Sequence, residues 1–157
     1  MFRVNRRGVV YGEVWFAEEP PRDSRVDIVL YRQREIPIAD ARTTPFLTMV
    51  TDLSAEADAI AEKFGKDCRY KIRRAETKDG LRMEFITDPE SRLDEFSEFF
   101  DAFARQKSHW PCDRQWLLAA CKVRQLVLTS VSQNREALVW HAYLTDRKST
   151  RLNSSHT

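Results

Sequence analysis

Apolar side chains recur every three or four residues between residues 53 and 75, which is the spacing of one face of an α-helix. The members of this stripe are Leu53, Ala57, Ile60, Ala61, Phe64, Cys68, Ile72 and Ala75. Gly65 lies inside the pattern and is expected to kink or divide the helix. The stripe predicts an amphipathic helical segment whose apolar residues, Cys68 among them, pack in a core.

The opposite face of this helix is strongly basic. Arg69 and Arg73 are four residues apart and share one side, with Lys71 and Arg74 beside them. Guanidinium groups in such a cluster can donate several hydrogen bonds to one anionic group. The simpler interpretation is a solvated helix face, because charge runs on amphipathic helices usually have no other role. Both interpretations stay open at this point.

A strand and two helices are predicted after the basic helix. Residues 81–87 alternate between apolar and polar side chains, as a half-buried strand does. Its predicted inward face consists of Leu81, Met83 and Phe85. Asp88 can cap the next helix, and Pro89 suits its first position. The apolar stripe of that helix, predicted to pack on a sheet, consists of Leu93, Phe96, Phe99, Phe100 and Phe103. A second helix is predicted over residues 113–123.

Four further extended runs are predicted as strands. Residues 125–132 and 136–144 are separated by a short polar segment that suits a hairpin turn. Nearer the N-terminus, residues 9–17 and 25–33 are divided by a polar, Pro-rich connector and predict a β-strand pair, as a hairpin or as an edge extension. Residues 34–50 have the composition of a linker.

The basic helix carries a motif that resembles a known family. Residues 69–75, Arg-Tyr-Lys-Ile-Arg-Arg-Ala, are similar to the Arg-x-x-Ile/Leu-Arg-Arg-Ala core of the helix that opens the acyltransferase domain in FemAB-like members of the GNAT superfamily. The following order of strand, helix, helix, strand and strand is also the order in which such a domain begins. The resemblance covers about residues 60–144 and implies an α/β fold.

The pattern, the resemblance and the C-terminal sequence together predict three segments. Residues 1–50 would form the N-terminal strand pair and linker, and residues 51–145 a truncated GNAT-like domain. Residues 146–156 match, codon for codon, one reading frame of a widely used sequencing adapter, so residues 146–157 are expected to be an artefactual, disordered tail. The tail holds three basic residues and one acidic residue, so the 26 Lys and Arg and the 24 Asp and Glu of the chain reduce to 23 of each. Overall charge therefore gives no argument for nucleic-acid binding.

The chemistry that the resemblance implies is acyl transfer to an amine. The donor would be acyl-CoA or aminoacyl-tRNA, and the acceptor an amine-bearing small molecule or a cell-wall precursor. Arg69, Arg73 and Arg74 occupy the motif positions and are the predicted substrate or anion contacts. The strand and helix that hold the donor in this superfamily are not recognisable in the sequence, so the chain as written is expected to be an inactive fragment of the transferase.

His141 is the candidate acid/base residue. It lies in a predicted strand, where alternation places Val139, His141 and Tyr143 on one face and Trp140 on the other. Imidazole titrates near neutral pH, which suits proton transfer from an amine. A structural histidine is the simpler interpretation of a histidine on a strand.

The remaining composition excludes several classes of site. Cys68, Cys112 and Cys121 are odd in number and lack paired metal spacing, so neither a disulfide framework nor a metal site is expected. Cys121 is predicted to be a small core residue, and Cys112 beside His109 is a weak candidate for a nucleophile pair. No apolar run is long enough to cross a bilayer and no signal peptide is recognisable, so a cytoplasmic protein is expected.

Two other classes of function stay open. One is a module that binds nucleic acid or another anionic partner through the basic helix 63–74, although the neutral native charge argues against nucleic acid other than a tRNA donor. The other is a non-catalytic scaffold with a degenerate acyltransferase fold.

Overall fold

The computed structural model describes residues 1–16, 18–20, 25–48 and 52–145 of the chain. In chain order, the elements in these ranges are β1 (Phe2–Arg6), β2 (Val9–Trp15), β3 (Ile28–Arg32), α1 (Ala57–Glu62), α2 (Lys66–Thr77), β4 (Arg82–Ile86), α3 (Leu93–Lys107), α4 (Arg114–Lys122), β5 (Leu126–Gln133) and β6 (Glu136–Leu144). The strands form two sheets of three strands each. The predicted α/β class is confirmed in this coarse form. The predicted tail lies outside the described residues.

The N-terminal sheet has the strand order β1-β2-β3. β1 and β2 are antiparallel, and the two residues between them, Arg7 and Gly8, have φ of 55° and 87°, as a tight hairpin turn requires. β2 and β3 are parallel, with Tyr11 beside Ile28. The two predicted strands are therefore present and paired, but in parallel, so the predicted hairpin is wrong; β1 was not predicted. The short Arg7-Gly8 turn places β1 along one edge of β2, so β3 can pair only with the other edge. A parallel neighbour needs a longer connection, which the residues between β2 and β3 provide.

The second sheet has the strand order β4-β5-β6. β5 and β6 are joined by Asn134 and Arg135, whose φ values of 52° and 72° match a type I′ hairpin turn. The hairpin predicted from the polar segment between these strands is confirmed. The chain order β4, α3, α4, β5, β6 likewise confirms the predicted succession of strand, helix, helix, strand and strand.

The two helices between β4 and β5 begin differently. α4 begins as predicted, because the Asp113 carboxylate accepts a hydrogen bond of 3.0 Å from the Trp116 amide. α3 is preceded by a 3₁₀ turn, Glu90–Arg92, and the Asp88 side chain does not cap it. The Ser91 hydroxyl instead donates 2.8 Å to the Asp88 carbonyl oxygen. The predicted start near Pro89 is therefore correct in position, and the predicted Asp88 cap is wrong.

The apolar stripe of α3 contributes to a buried core. Leu93 and Phe96 are buried, and the Phe96 ring meets the buried Trp140 ring of β6 edge to face at 5.9 Å between centroids. The prediction that this stripe packs on a sheet is confirmed for Phe96. Phe103, at the C-terminal end of the stripe, is 46% exposed, so its predicted burial is wrong.

The apolar residues of α2 and β4 do not have the burial predicted for them. The helix is divided at Gly65, as predicted, and α2 buries none of its residues. Cys68 is exposed, which corrects its prediction as a core residue. In β4, Met83 is 72% exposed and Phe85 is 50% exposed, whereas Ile86 is buried. Periodicity predicted which side chains share a face, but burial needs a partner, and none covers these side chains within the described residues.

The chain divides into two compact units. One contains the described residues of 1–43, 85–129 and 140–157, and the other contains those of 44–84 and 130–139. The predicted boundary near residue 50 coincides with residues outside the described ranges and stays a prediction. In the described ranges, every helix is too short or too polar to span a bilayer.

Candidate functional site

Arg69 and Arg73 form an exposed cationic pair on α2. They are one helical turn apart, so their side chains leave the same side of the helix. Within the described ranges, neither guanidinium group has an ion pair or a hydrogen bond to the protein. Asp94 of α3 pairs with Arg114. The donors of Arg69 and Arg73 are therefore available to an anionic group from outside the chain.

Arg74, the third predicted anion contact, has a different environment. Its Nε atom lies 3.1 Å from a carboxylate oxygen of Asp79, in the turn between α2 and β4. The amides of Lys78 and Asp79 both donate to the Arg74 carbonyl oxygen, at 2.8 and 3.1 Å. The Asp79 carbonyl oxygen in turn accepts 2.6 Å from the Gln133 side chain. Arg74 therefore stabilises the end of α2, and the candidates for anion contact reduce to Arg69 and Arg73.

His141 lies on β6 with its ring exposed to solvent. Its Nδ1 atom is 3.4 Å from the Oγ1 atom of Thr129 on β5, a residue that is only 3% exposed. The ring also stacks on Tyr143, two residues along the same strand, with 5.7 Å between centroids. The predicted shared face of His141 and Tyr143 is confirmed, and Trp140 is buried on the opposite face.

These contacts define what the imidazole can do. A hydroxyl group at one ring nitrogen and a stacked aromatic ring restrain the orientation of the imidazole. The other nitrogen, Nε2, is then the one available to accept or donate a proton at the exposed surface. The arrangement suits a general base for an amine, and equally a hydrogen-bond donor to an anionic intermediate.

Thr129 is the residue of this cluster that the sequence did not reveal. Tyr143 follows from period-two alternation, but Thr129 lies on a neighbouring strand, and its approach to His141 depends on the pairing of β5 with β6. His141 belongs to one compact unit, and Arg69, Arg73 and Arg74 belong to the other.

Cys112 and His109 do not form an activated pair. The Cys112 sulfur accepts a long hydrogen bond of 3.7 Å from the Ser97 hydroxyl, and the Cys112 amide donates to Asp101 at 2.7 Å. Burial raises the pKa of the Cys112 thiol, and the Asp101 carboxylate raises it further. The His109 ring lies beside Phe103, with 6.4 Å between centroids. A raised pKa lowers the thiolate fraction, which disfavours Cys112 as a nucleophile.

The cysteines should differ measurably in reactivity. Burial raises the pKa of Cys121 to about 11, and the nearby Glu90 and Asp88 carboxylates add to the effect. At about pH 8, Cys121 should therefore be alkylated by iodoacetamide at least tenfold more slowly than exposed Cys68. Mass spectrometry of peptides over a time course measures both rates. If Cys112 were alkylated fastest, the raised pKa of its thiol would be contradicted, and a nucleophile pair of Cys112 with His109 would be supported.

The described residues contain no group of three or more His, Cys, Asp and Glu side chains arranged to hold a metal ion. Comparisons of the chain with protein-family models, curated proteins and solved structures find no significant match. Two separate candidate groups consequently rest on the chemistry of their own residues: an exposed guanidinium pair on α2 in one compact unit, and an oriented imidazole on β6 in the other.

Proposed function

We propose that the chain carries the first half of a FemAB-like acyltransferase domain of the GNAT superfamily. In this proposal, the complete domain moves an acyl or aminoacyl group from acyl-CoA or aminoacyl-tRNA to an amine. The acceptor is an amine-bearing small molecule or a cell-wall precursor. The chain of 157 residues by itself is not expected to catalyse the transfer.

The observation that carries the proposal is the order of elements after the basic helix. β4, α3, α4, β5 and β6 follow the Arg-rich motif in the succession expected for this domain, and their strands belong to one sheet in the order β4-β5-β6. The exposed apolar side chains of α2 and β4 give separate support. A complete domain would cover Ile72 of α2 and Met83 of β4, which are 43% and 72% exposed here.

The two side-chain groups have complementary roles in this proposal. Arg69 and Arg73 offer forked donors to a phosphate or carboxylate group of a substrate. His141, oriented by Thr129 and Tyr143, removes the proton that the amine loses when it attacks the carbonyl carbon of the donor. Donor and acceptor must also be held in line, because positioning supplies much of the rate in such transfers.

Replacing both Arg69 and Arg73 by Gln tests the anion-binding role in the complete domain. Gln keeps helix propensity but removes both charges, so KM should rise by about tenfold while the free energy of unfolding stays near that of the parent. Steady-state kinetics and urea denaturation measure the two quantities.

The matched control is Arg74→Gln. It breaks the exposed pair with Asp79 and should lower the free energy of unfolding by about 0.5 kcal/mol without changing KM. Equal KM values for the parent and the Arg69/Arg73 double variant would mean that the pair is only a solvated face.

The second candidate function is binding of an anionic partner through the helix 63–74. A different observation favours it: Arg69 and Arg73 are exposed and free of protein carboxylates in the described ranges. Such a module would bind an oligonucleotide with an affinity that falls steeply as salt increases. Salt-dependent binding without any acyl transfer by the complete protein would favour the binding module over the enzyme.

A further inference from the structure

A groove lies between β1 and α4, within one compact unit. Its volume is about 680 Å³, and it is open to solvent along one side. One wall consists of residues 2–5 and Arg7, and the other includes Gln115, Leu118, Ala119 and Lys122. The helix residues are spaced as one face of α4. The Phe2 and Trp116 rings, 5.5 Å apart and edge to face, join the strand to the helix.

The groove follows the free edge of β1. β1 is an outer strand of the order β1-β2-β3. Successive side chains of a strand point to opposite faces of the sheet. The consecutive residues 2–5 can therefore line the same groove only if the groove runs along the backbone edge of β1. An open edge of this kind offers unpaired amide and carbonyl groups to another strand.

The register of the hairpin identifies those groups. Arg6 and Val9 flank the two-residue turn and are opposite each other, so they exchange both hydrogen bonds. Hydrogen-bonded pairs alternate with non-hydrogen-bonded pairs along an antiparallel ladder, so Val4 and Phe2 belong to the next two hydrogen-bonded pairs. Arg3 and Asn5 lie between them, and their backbone N–H and C=O groups therefore point outward, into the groove.

The charges along the groove have one sign. Arg3, Arg7 and Lys122 line it, and no acidic side chain does. Within the described part of the chain, none of these three cations pairs with a carboxylate. Arg6, in contrast, is bound to Asp113 at 2.6 Å. Leu118 and Ala119 add an apolar strip between the charges.

We propose that this groove binds an extended, acidic peptide segment that adds as a strand to the free edge of β1. The outward amides and carbonyls give affinity through main-chain hydrogen bonds, as in other strand-addition complexes. The three cations select acidic side chains, and the strip of α4 accepts small apolar ones. A second copy of the same edge would bring Arg3 and Arg7 against themselves, so charge disfavours self-pairing.

Fluorescence anisotropy with two labelled peptides tests the charge selectivity. The probes are an alternating Glu-Val hexapeptide and its Lys-Val counterpart, each added to the full chain. The acidic peptide should bind at least about tenfold more tightly. Arg3→Glu combined with Lys122→Glu should abolish this preference. The control Arg42→Glu with Arg105→Glu makes the same charge change at exposed residues outside the groove lining, and it should keep the preference.

Two N-methylated versions of the acidic peptide test the strand-addition geometry without altering the protein. Methyl groups on alternate amides block one edge of the peptide or the other. One version should lose at least about tenfold in affinity while the other binds as before. The proposal would be overturned by equal affinities of the two versions, by tighter binding of oligothymidylate at the same cations, or by a dimer that excludes the peptide.

Discussion

Replacing Phe96 by Ala is expected to lower the free energy of unfolding by about 3 kcal/mol. The ring is only 6% exposed and meets Trp140 edge to face and Phe100 in a stacked arrangement. Removing it leaves a cavity between α3 and β6, so both the apolar transfer energy and the packing contacts are lost. Urea denaturation followed by tryptophan fluorescence and by circular dichroism measures the change.

Phe103→Ala is the matched control, because it removes the same group from the same helix. Phe103 is 46% exposed, so this variant should lose less than about 1 kcal/mol. Equal losses for Phe96→Ala and Phe103→Ala would contradict the core described for α3.

Replacing His141 by Ala is expected to lower kcat of the complete domain by about a hundredfold, the usual loss when a general base is removed. The reason is that the amine must lose a proton during the transfer, and the proposed function assigns the acceptance of that proton to the Nε2 atom of His141. The residue is exposed, so the free energy of unfolding should change little. Steady-state kinetics at saturating donor, together with urea denaturation, separate the two effects.

Thr129 and Tyr143 provide controls for the orientation of the imidazole. Thr129→Val keeps the shape of the side chain but removes the hydroxyl at Nδ1, and should lower kcat by a smaller factor, about threefold to tenfold. Tyr143→Phe keeps the stacked ring and should leave kcat unchanged. A normal kcat for His141→Ala would show that the histidine is structural, which was the simpler interpretation of its sequence.

Local signals in the sequence were sufficient for most elements after residue 52. Gly65 divides the basic helix, Asp113 caps α4, and the polar segment containing Asn134 and Arg135 forms the hairpin, because each acts through neighbours within a few residues. Non-local features were not predictable in this way. The parallel pairing of β2 with β3 depends on which edge β1 already occupies. β1 was missed for another reason: its alternation of Phe2 and Val4 with polar residues is a strand signal, but it extends over only five residues.

Burial and contacts were the other features that the sequence alone could not provide. Ile72 and Met83 lie in correctly predicted elements, yet they are exposed because a periodic face is buried only where another element covers it. Within the candidate site, His141 and Tyr143 followed from strand alternation, whereas Thr129 required the pairing of two strands. Arg74 pairs with Asp79 and so differs from Arg69 and Arg73, although the motif predicted the same role for all three.

Acyl transfer by the complete protein is the measurement that tests the proposed function most directly. The proposal requires a different continuation of the chain after Thr145, so the protein would be expressed from the complete gene and incubated with labelled acyl-CoA or aminoacyl-tRNA and a panel of amines. The account predicts that label moves to an amine acceptor, and that the transfer weakens in the Arg69/Arg73 double variant and in His141→Ala. Folded protein that leaves every donor intact, with all acceptors present, would contradict the account.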